Sequence, residues 1–263
     1  MTLFRYCKNF TDIIPSLTKI SDNLVKFKFY CGIQHFPLSF IANFTNLQEI
    51  ILSLDYTEPF EDFKKLQHVT FSQLQILRIT FTYAFPEFKL LIKFLEVSGK
   101  TLKELYVGEG GDCDNSFNLA VAKFCPNLRK LSVGFKNNEL ETMKIVFNSC
   151  QYLESIKIWC GGELLSEKEA LEMLVNYSPK YLCELIFYHL YYVRSVLLPE
   201  ELESFLVIWK NREPQKSLSL IIVRYDELSL DSNDENLDII EKYIDLGIIK
   251  NFKVTDFEDE MYG

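Results

Sequence analysis

An α/β solenoid of short parallel strands, each followed by a helix, is the architecture this 263-residue sequence predicts. Three observations carry that expectation. A Leu-x-x-apolar-x-apolar pattern recurs along the chain, its leading leucines are nearly evenly spaced, and the stretches between copies read as amphipathic helices.

The pattern opens with Leu24-Val-Lys-Phe27-Lys-Phe29 and continues with Leu47-Gln-Glu-Ile50-Ile-Leu52, Leu74-Gln-Ile-Leu77-Arg-Ile79, Leu102-Lys-Glu-Leu105-Tyr-Val107 and Leu128-Arg-Lys-Leu131-Ser-Val133. Leu153-Glu-Ser-Ile156-Lys-Ile158 and Leu182-Cys-Glu-Leu185-Ile-Phe187 follow, and Ser217-Leu-Ser-Leu220-Ile-Ile222 and Ile249-Lys-Asn-Phe252-Lys-Val254 read as degenerate copies. In a chain that is 48% hydrophobic one match decides nothing; the spacing of the seven leucines, 23, 27, 28, 26, 25 and 29 residues, does. It is the period of leucine-rich repeats, and it leaves room for the crossover that a parallel strand requires.

Helices are expected over Phe88–Leu95, Asn118–Phe124, Leu140–Phe147, Glu169–Val175 and Pro199–Lys210, where apolar residues recur at helical spacing. The predicted fold is a right-handed leucine-rich-repeat solenoid, a ribonuclease-inhibitor-like horseshoe with the parallel sheet on the concave face and the helices on the convex face. A single domain spans 1–263: an N-terminal cap or partial repeat over 1–23, repeats over 24–223, and over 224–263 a C-terminal cap with an acidic loop and a last helix and strand.

Composition narrows the functions. With 37 acidic against 28 basic residues the net charge is −9, which repels a phosphate backbone, so nucleic acid is not an expected partner. Seven cysteines, an odd number with no CxxC pair, fit reduced thiols of a cytoplasmic or nuclear protein better than a disulfide framework or a zinc ribbon. The first ten residues lack the apolar run of a secretory signal, and no stretch approaches the ~20 apolar residues of a membrane helix.

Cysteines stand three positions before two repeat leucines, in Cys125-Pro-Asn-Leu128-Arg-Lys-Leu131 and Cys150-Gln-Tyr-Leu153-Glu-Ser-Ile156-Lys-Ile158-Trp-Cys160. This resembles the cysteine-containing leucine-rich repeats of the fungal F-box/leucine-rich-repeat family. The resemblance implies that the repeats hold a protein substrate for a ubiquitin ligase, to which a separate N-terminal F-box docks through the Skp1 adaptor and cullin. Here the first repeat begins by Leu24, which leaves too few residues before it for a three-helix F-box. A ligase-independent scaffold or inhibitor, similar to ribonuclease-inhibitor-like repeat proteins, is the alternative. The cysteines themselves read as small buried side chains at a helix-to-strand corner.

No catalytic, cofactor-binding or metal-ligating residue is expected, and the chain does not read as an enzyme. Gly99-Lys100-Thr101 resembles the end of a phosphate loop, but Phe94 stands where that motif has its first glycine and the segment leads from helix to strand, so Gly99 reads as a helix C-terminal cap. Asp112-Cys-Asp114-Asn-Ser116 starts like a calcium loop, yet Phe117 and Lys123 replace its glycine and its last glutamate. His35, His68 and His189 lie in no catalytic motif, and the carboxylate groups Glu58/Glu61/Asp62 and Asp256/Glu258/Asp259/Glu260 read as solvated faces.

The concave wall remains. Strand alternation sends the apolar pair of each repeat inward and leaves Lys26, Glu49, Ile76, Glu104, Lys130, Ser155 and Glu184, then Lys28, Ile51, Arg78, Tyr106, Ser132, Lys157 and Ile186, on the open side. Tyr30, Phe81, Phe135, Trp159 and Tyr188 are expected beyond the strands on the same side, although for Phe81 and Phe135 packing as core is an equal reading. Aromatics beside Arg and Lys are what interaction hot spots favour, so Lys28, Arg78, Tyr106, Lys157, Trp159, Tyr188 and Phe135 are the expected partner-binding residues.

Overall fold

The computed structural model describes residues 2–3, 19, 23–31, 38–54, 62–81, 88–108, 114–190, 192–226 and 228–257. The chain forms two compact units, Met1–Leu128 and Arg129–Gly263. In the first, β1 (Thr2–Leu3), β2 (Lys26–Cys31), β3 (Glu49–Leu54), β4 (Ile76–Phe81) and β5 (Glu104–Val107) pair in chain order, every pair parallel. The strand β1, in the segment read as a cap, was not expected. Helices α1 (Phe88–Ser98) and α2 (Asn115–Phe124) follow β4 and β5, while the two earlier crossovers use 3-10 turns over Leu38–Asn43 and Asp62–His68.

The second unit repeats the scheme with α-helices throughout. Its strands are β6 (Lys130–Val133), β7 (Ser155–Cys160), β8 (Glu184–His189), β9 (Leu218–Arg224) and β10 (Ile249–Asp256). Between them lie α3 (Leu140–Ser149), α4 (Glu167–Tyr177), α5 (Pro199–Lys210) and α6 (Asp234–Asp245). Consecutive strands again pair parallel, so both degenerate copies of the pattern are real strands. Helix starts are fixed by capping: Ser166 Oγ accepts from Glu169 N at 3.3 Å while Glu169 Oε2 accepts from Ser166 N at 2.9 Å, and Pro199 sits at the start of α5, where its missing N–H costs nothing. No helix among the described residues is long and apolar enough to cross a membrane.

Each unit is the strand-and-helix leucine-rich-repeat fold that the spacing predicts, and the repeat leucines show why. Leu47, Leu74, Leu102, Leu128, Leu153 and Leu182 are all fully buried, and their strands alternate as the pattern requires, with Ile50 and Leu52, Leu77 and Ile79, or Ile156 and Ile158 directed into the core. Every fully buried side chain of this size contributes about 1.5–3 kcal/mol.

The joint between repeats is a recurring hydrogen-bonded turn. The N–H of each leucine donates to the carbonyl three residues earlier: Leu47 to Phe44, Leu74 to Phe71, Leu102 to Gly99, Leu128 to Cys125, Leu153 to Cys150 and Leu182 to Pro179, at 3.0–3.4 Å. After Leu47, Leu74, Leu102, Leu153 and Leu182 the next two residues then donate to the carbonyl just past the previous repeat leucine, as Gln75 and Ile76 do to Gln48 O at 2.8 and 3.0 Å. The cysteines of the family-like motif are therefore two members of a column, Phe44, Phe71, Gly99, Cys125, Cys150, Pro179, whose shared property is burial under the turn and not sulfur chemistry. Burial pushes the Cys150 thiol up to about 12, the reverse of activation.

Gly99 occupies this column because nothing larger fits. It lies in a short 3-10 turn directly after α1, and a Cβ there would sit 2.8 Å from Cys125 Sγ and 3.0 Å from Phe124 O. Its role is close approach to the next helix end. Gly99→Ala is expected to cost about 1–3 kcal/mol through overpacking, read as a lower urea midpoint at unchanged m-value. A neutral result would mean that α2 can move away freely.

Candidate functional site

Each strand has one face against the helical layer and one free of helices, and the register places the side chains of the helix-free face in rows. In the first unit Lys28, Ile51, Arg78 and Tyr106 are directly adjacent across β2–β5. Beside them runs Glu49, Ile76 and Glu104, with Lys26 at the end, and on the other side Tyr30, Ser53 and Thr80. Lys28 and Arg78 expose 37% and 48% of their side chains, and Ile51 and Tyr106 are half-buried, so this face offers charge and apolar surface together.

Two carboxylates organise those cations. Glu49, nearly buried, lies 3.0 Å from Lys26 Nζ and 3.4 Å from Lys28 Nζ. Burial alone would raise its carboxyl, but the hydrogen bond and charge of Lys26, then those of Lys28, outweigh that and hold it below the usual carboxylate range. Arg78 Nη2 donates to Glu104 Oε2 at 3.2 Å. An exposed pair of this kind contributes about 0–1 kcal/mol, so a partner's carboxylate can replace Glu104 at little cost.

The second unit presents its face differently. Lys157 is 6% exposed and Trp159 and Tyr188 1% each, although all three lie on the helix-free side. The Trp159 and Tyr188 rings meet at 3.8 Å between centroids, and Leu164, Val223, Tyr225 and Phe257 close over them. The expectation that Trp159 and Tyr188 project into open space is corrected accordingly. They have the expected direction but are roofed by side chains distant in sequence.

Phe135 departs for another reason. It shares the strand parity of Leu131 and Val133, not that of Ser132, and is fully buried; Phe81 likewise follows Leu77 and Ile79 inward. Both are core, which is what alternation dictates once it is counted from the leucine. Of the expected partner-binding residues, Lys28, Arg78 and Tyr106 come together in one row of the first unit, and Lys157, Trp159 and Tyr188 cluster in the second.

A buried polar cluster that the sequence did not announce lies at the end of β7 and β8, on the helical side. Cys160 is the register partner of His189, whose Nδ1 is 3.3 Å from Glu167 Oε1, at ion-pair distance but without hydrogen-bond alignment. All three are at most 3% exposed. Burial first, then the Glu167 and Glu169 carboxylates, push the Cys160 thiol well above its ordinary value, which suppresses the thiolate a nucleophile needs. Burial lowers the pKa of His189, against the opposing charges of Glu167, Asp231 and Asp226.

A histidine whose folded pKa lies below its unfolded value of about 6.5 contributes stability that is present above that pH and is lost as the pH falls toward the folded pKa, because the unfolded chain takes up the proton first. The melting temperature is therefore expected to drop on acidification from neutrality, before the carboxylates titrate, and His189→Gln to flatten that drop. An unchanged slope in the variant would show that His189 does not carry it.

The remaining sequence motifs fall only partly among the described residues. Asp114 caps α2, its side chain accepting from Ser116 N at 2.9 Å, whereas Asp112, Cys113, His35, Glu58, Glu61 and Glu258–Glu260 fall outside the described residues. His68 is exposed. Among the described residues no group of three or more His, Cys, Asp or Glu side chains could hold a metal ion.

Neither a protein-family model nor a curated protein matches the sequence. Among solved structures, the chain is similar to the leucine-rich-repeat-containing protein LegL7 from Legionella pneumophila, with 12% identity and a TM-score of 0.42 over 98% of this chain and 91% of that one.

Proposed function

We propose that the chain is a protein-binding module and that its partner sits on the helix-free face of the first unit, held by Lys28, Arg78 and Tyr106 around Ile51. The observation that supports this reading is the row itself. Four consecutive strands present cation, aliphatic, cation and aromatic side chains in direct register, with Lys28 and Arg78 each paired to a carboxylate of the same face and still partly exposed. Arg and Tyr in a partly buried patch are among the residue types that carry most binding energy.

The finer proposal is substrate recognition for a Skp1–cullin ubiquitin ligase. Its support is the placement of Cys125 and Cys150 in the position where the F-box/leucine-rich-repeat family has cysteine. A scaffold or inhibitor without a ligase link is the alternative, and neither reading assigns an enzymatic step.

The test is quantitative affinity capture with the wild-type chain and Arg78→Ala/Tyr106→Ala. The expected result is a specific partner whose affinity falls by about thirtyfold, some 2 kcal/mol, in the double variant, with the melting temperature unchanged. Equal affinity would remove the first-unit face from consideration. Skp1 and cullin in the same complex would favour the ligase reading, and a stoichiometric partner without them the scaffold reading.

A further inference from the structure

Trp159 and Tyr188 are large aromatics on the side of the sheet where helices do not reach, yet they are sealed from solvent. In the register of β7–β10 the row beneath them is Lys157, Ile186, Ile221, Lys253: two half-buried isoleucines forming a floor between two lysines. The Lys157 ammonium lies 5.4 Å from the centre of the Tyr188 ring. Leu164 is brought onto the cluster by the turn at Gly161, where Leu164 N donates to Gly161 O at 3.1 Å.

The cover comes from the end of the described chain. Phe257, the first residue after β10, stands edge-on to Tyr188 at 5.4 Å and 86° and stacks on Tyr225 at 4.0 Å and 27°. Phe257 and Tyr225 are only partly buried, whereas Trp159, Tyr188 and Val223 beneath them are sealed, so these two rings form the outer layer of the cluster, the layer that a competing ring meets first. In sequence Phe257 is followed by Glu258-Asp259-Glu260, so the occupant of this aromatic site, which has the exposed Lys253 beside it, belongs to a segment that is aromatic and then acidic.

We propose that the helix-free face of β7–β10 is a docking site for an acidic peptide with an aromatic anchor, and that Phe257 is its resident intramolecular occupant. A partner of this class inserts an aromatic ring against Tyr188 and Tyr225 in place of Phe257, with its carboxylates toward the exposed Lys253. Ring-against-ring packing then supplies the anchor and Lys253 selects an acidic flank. The site is separate from the row at Lys28, Arg78 and Tyr106, and it does not rest on that face binding anything.

The experiment titrates the full chain with a labelled peptide, Phe-Glu-Asp-Glu-Met-Tyr-Gly, the sequence of residues 257–263, and reads its anisotropy. Phe257→Ala is expected to bind at least about tenfold more tightly than wild type, because the competing occupant is gone. Phe257→Leu, which keeps an apolar cover and protects the fold, should fall between them. Lys253→Glu combined with either variant should weaken binding again, as should a peptide with Ser in place of Phe, whereas Arg78→Ala/Tyr106→Ala should leave it unchanged. Folded Phe257 variants that bind no better than wild type, or binding indifferent to Lys253 and to the peptide's aromatic residue, would overturn the proposal. Binding abolished by Arg78→Ala/Tyr106→Ala would overturn it too, by moving the peptide to the first unit.

Discussion

Arg212→Ala is expected to lower the unfolding free energy by about 2–4 kcal/mol, one of the two largest single-residue effects we anticipate. Arg212 follows α5, and its guanidinium lies 4.5 Å from the Trp209 ring centre. It donates to Leu182 O at 3.3 Å, to Ser178 O at 3.1 Å and to Pro179 O. Those carbonyls belong to the turn that ends α4 and starts β8, so one side chain closes the joint between two repeats. Removing it leaves acceptors without a donor and opens space over Trp209, which has its own indole N–H bound to Lys216 O at 3.1 Å. Arg212→Lys keeps the charge but not the planar fork, and should recover less than half of the loss in urea denaturation. A wild-type midpoint in Arg212→Ala would mean that water replaces the guanidinium at no cost.

In the first unit the corresponding effect belongs to Phe94. This ring on α1 is fully buried and meets Phe63 at 5.2 Å and Phe71 at 5.8 Å, joining a 3-10 crossover, the turn before β4 and the helix after it. Phe94→Ala removes contacts on all three and should cost about 3–5 kcal/mol. Phe94→Leu, which keeps most of the apolar volume, should recover over half of that. A loss below about 1 kcal/mol for alanine would show that the surrounding rings collapse into the space.

How much of this was legible in the sequence follows from how far apart the interacting residues stand. The leucine pattern acts within six residues, so it located β2 to β10, and α5 has the bounds expected for it, Pro199–Lys210. The 3-10 crossovers near Leu38 and Asp62 were not read, nor was β1. On the candidate face, Lys28, Arg78 and Tyr106 follow from alternation alone, and the structure gives them the register it implies. Trp159 and Tyr188 do not, because their burial is decided by Tyr225 and Phe257 from later repeats. Glu167 and His189 meet across a helix and a strand with no motif linking them, though an apolar strand ending in a histidine, Leu185-Ile-Phe-Tyr-His189, was a local hint of a buried imidazole.

The turns that join repeats also have a direction. At most of these turns the N–H groups belong to the later repeat and the accepting carbonyl to the earlier one, as with Gln75 and Ile76 on Gln48 O, or Cys183 and Glu184 on Glu154 O, while at the last joint Leu218 N donates forward to Ile248 O. At those turns a chain made from its N-terminus has the acceptor in place before its donors leave the ribosome. Within each unit a nascent repeat can dock on a finished template without waiting for anything downstream, and a chain cut short keeps an ordered stack whose last carbonyl faces water, where it is solvated.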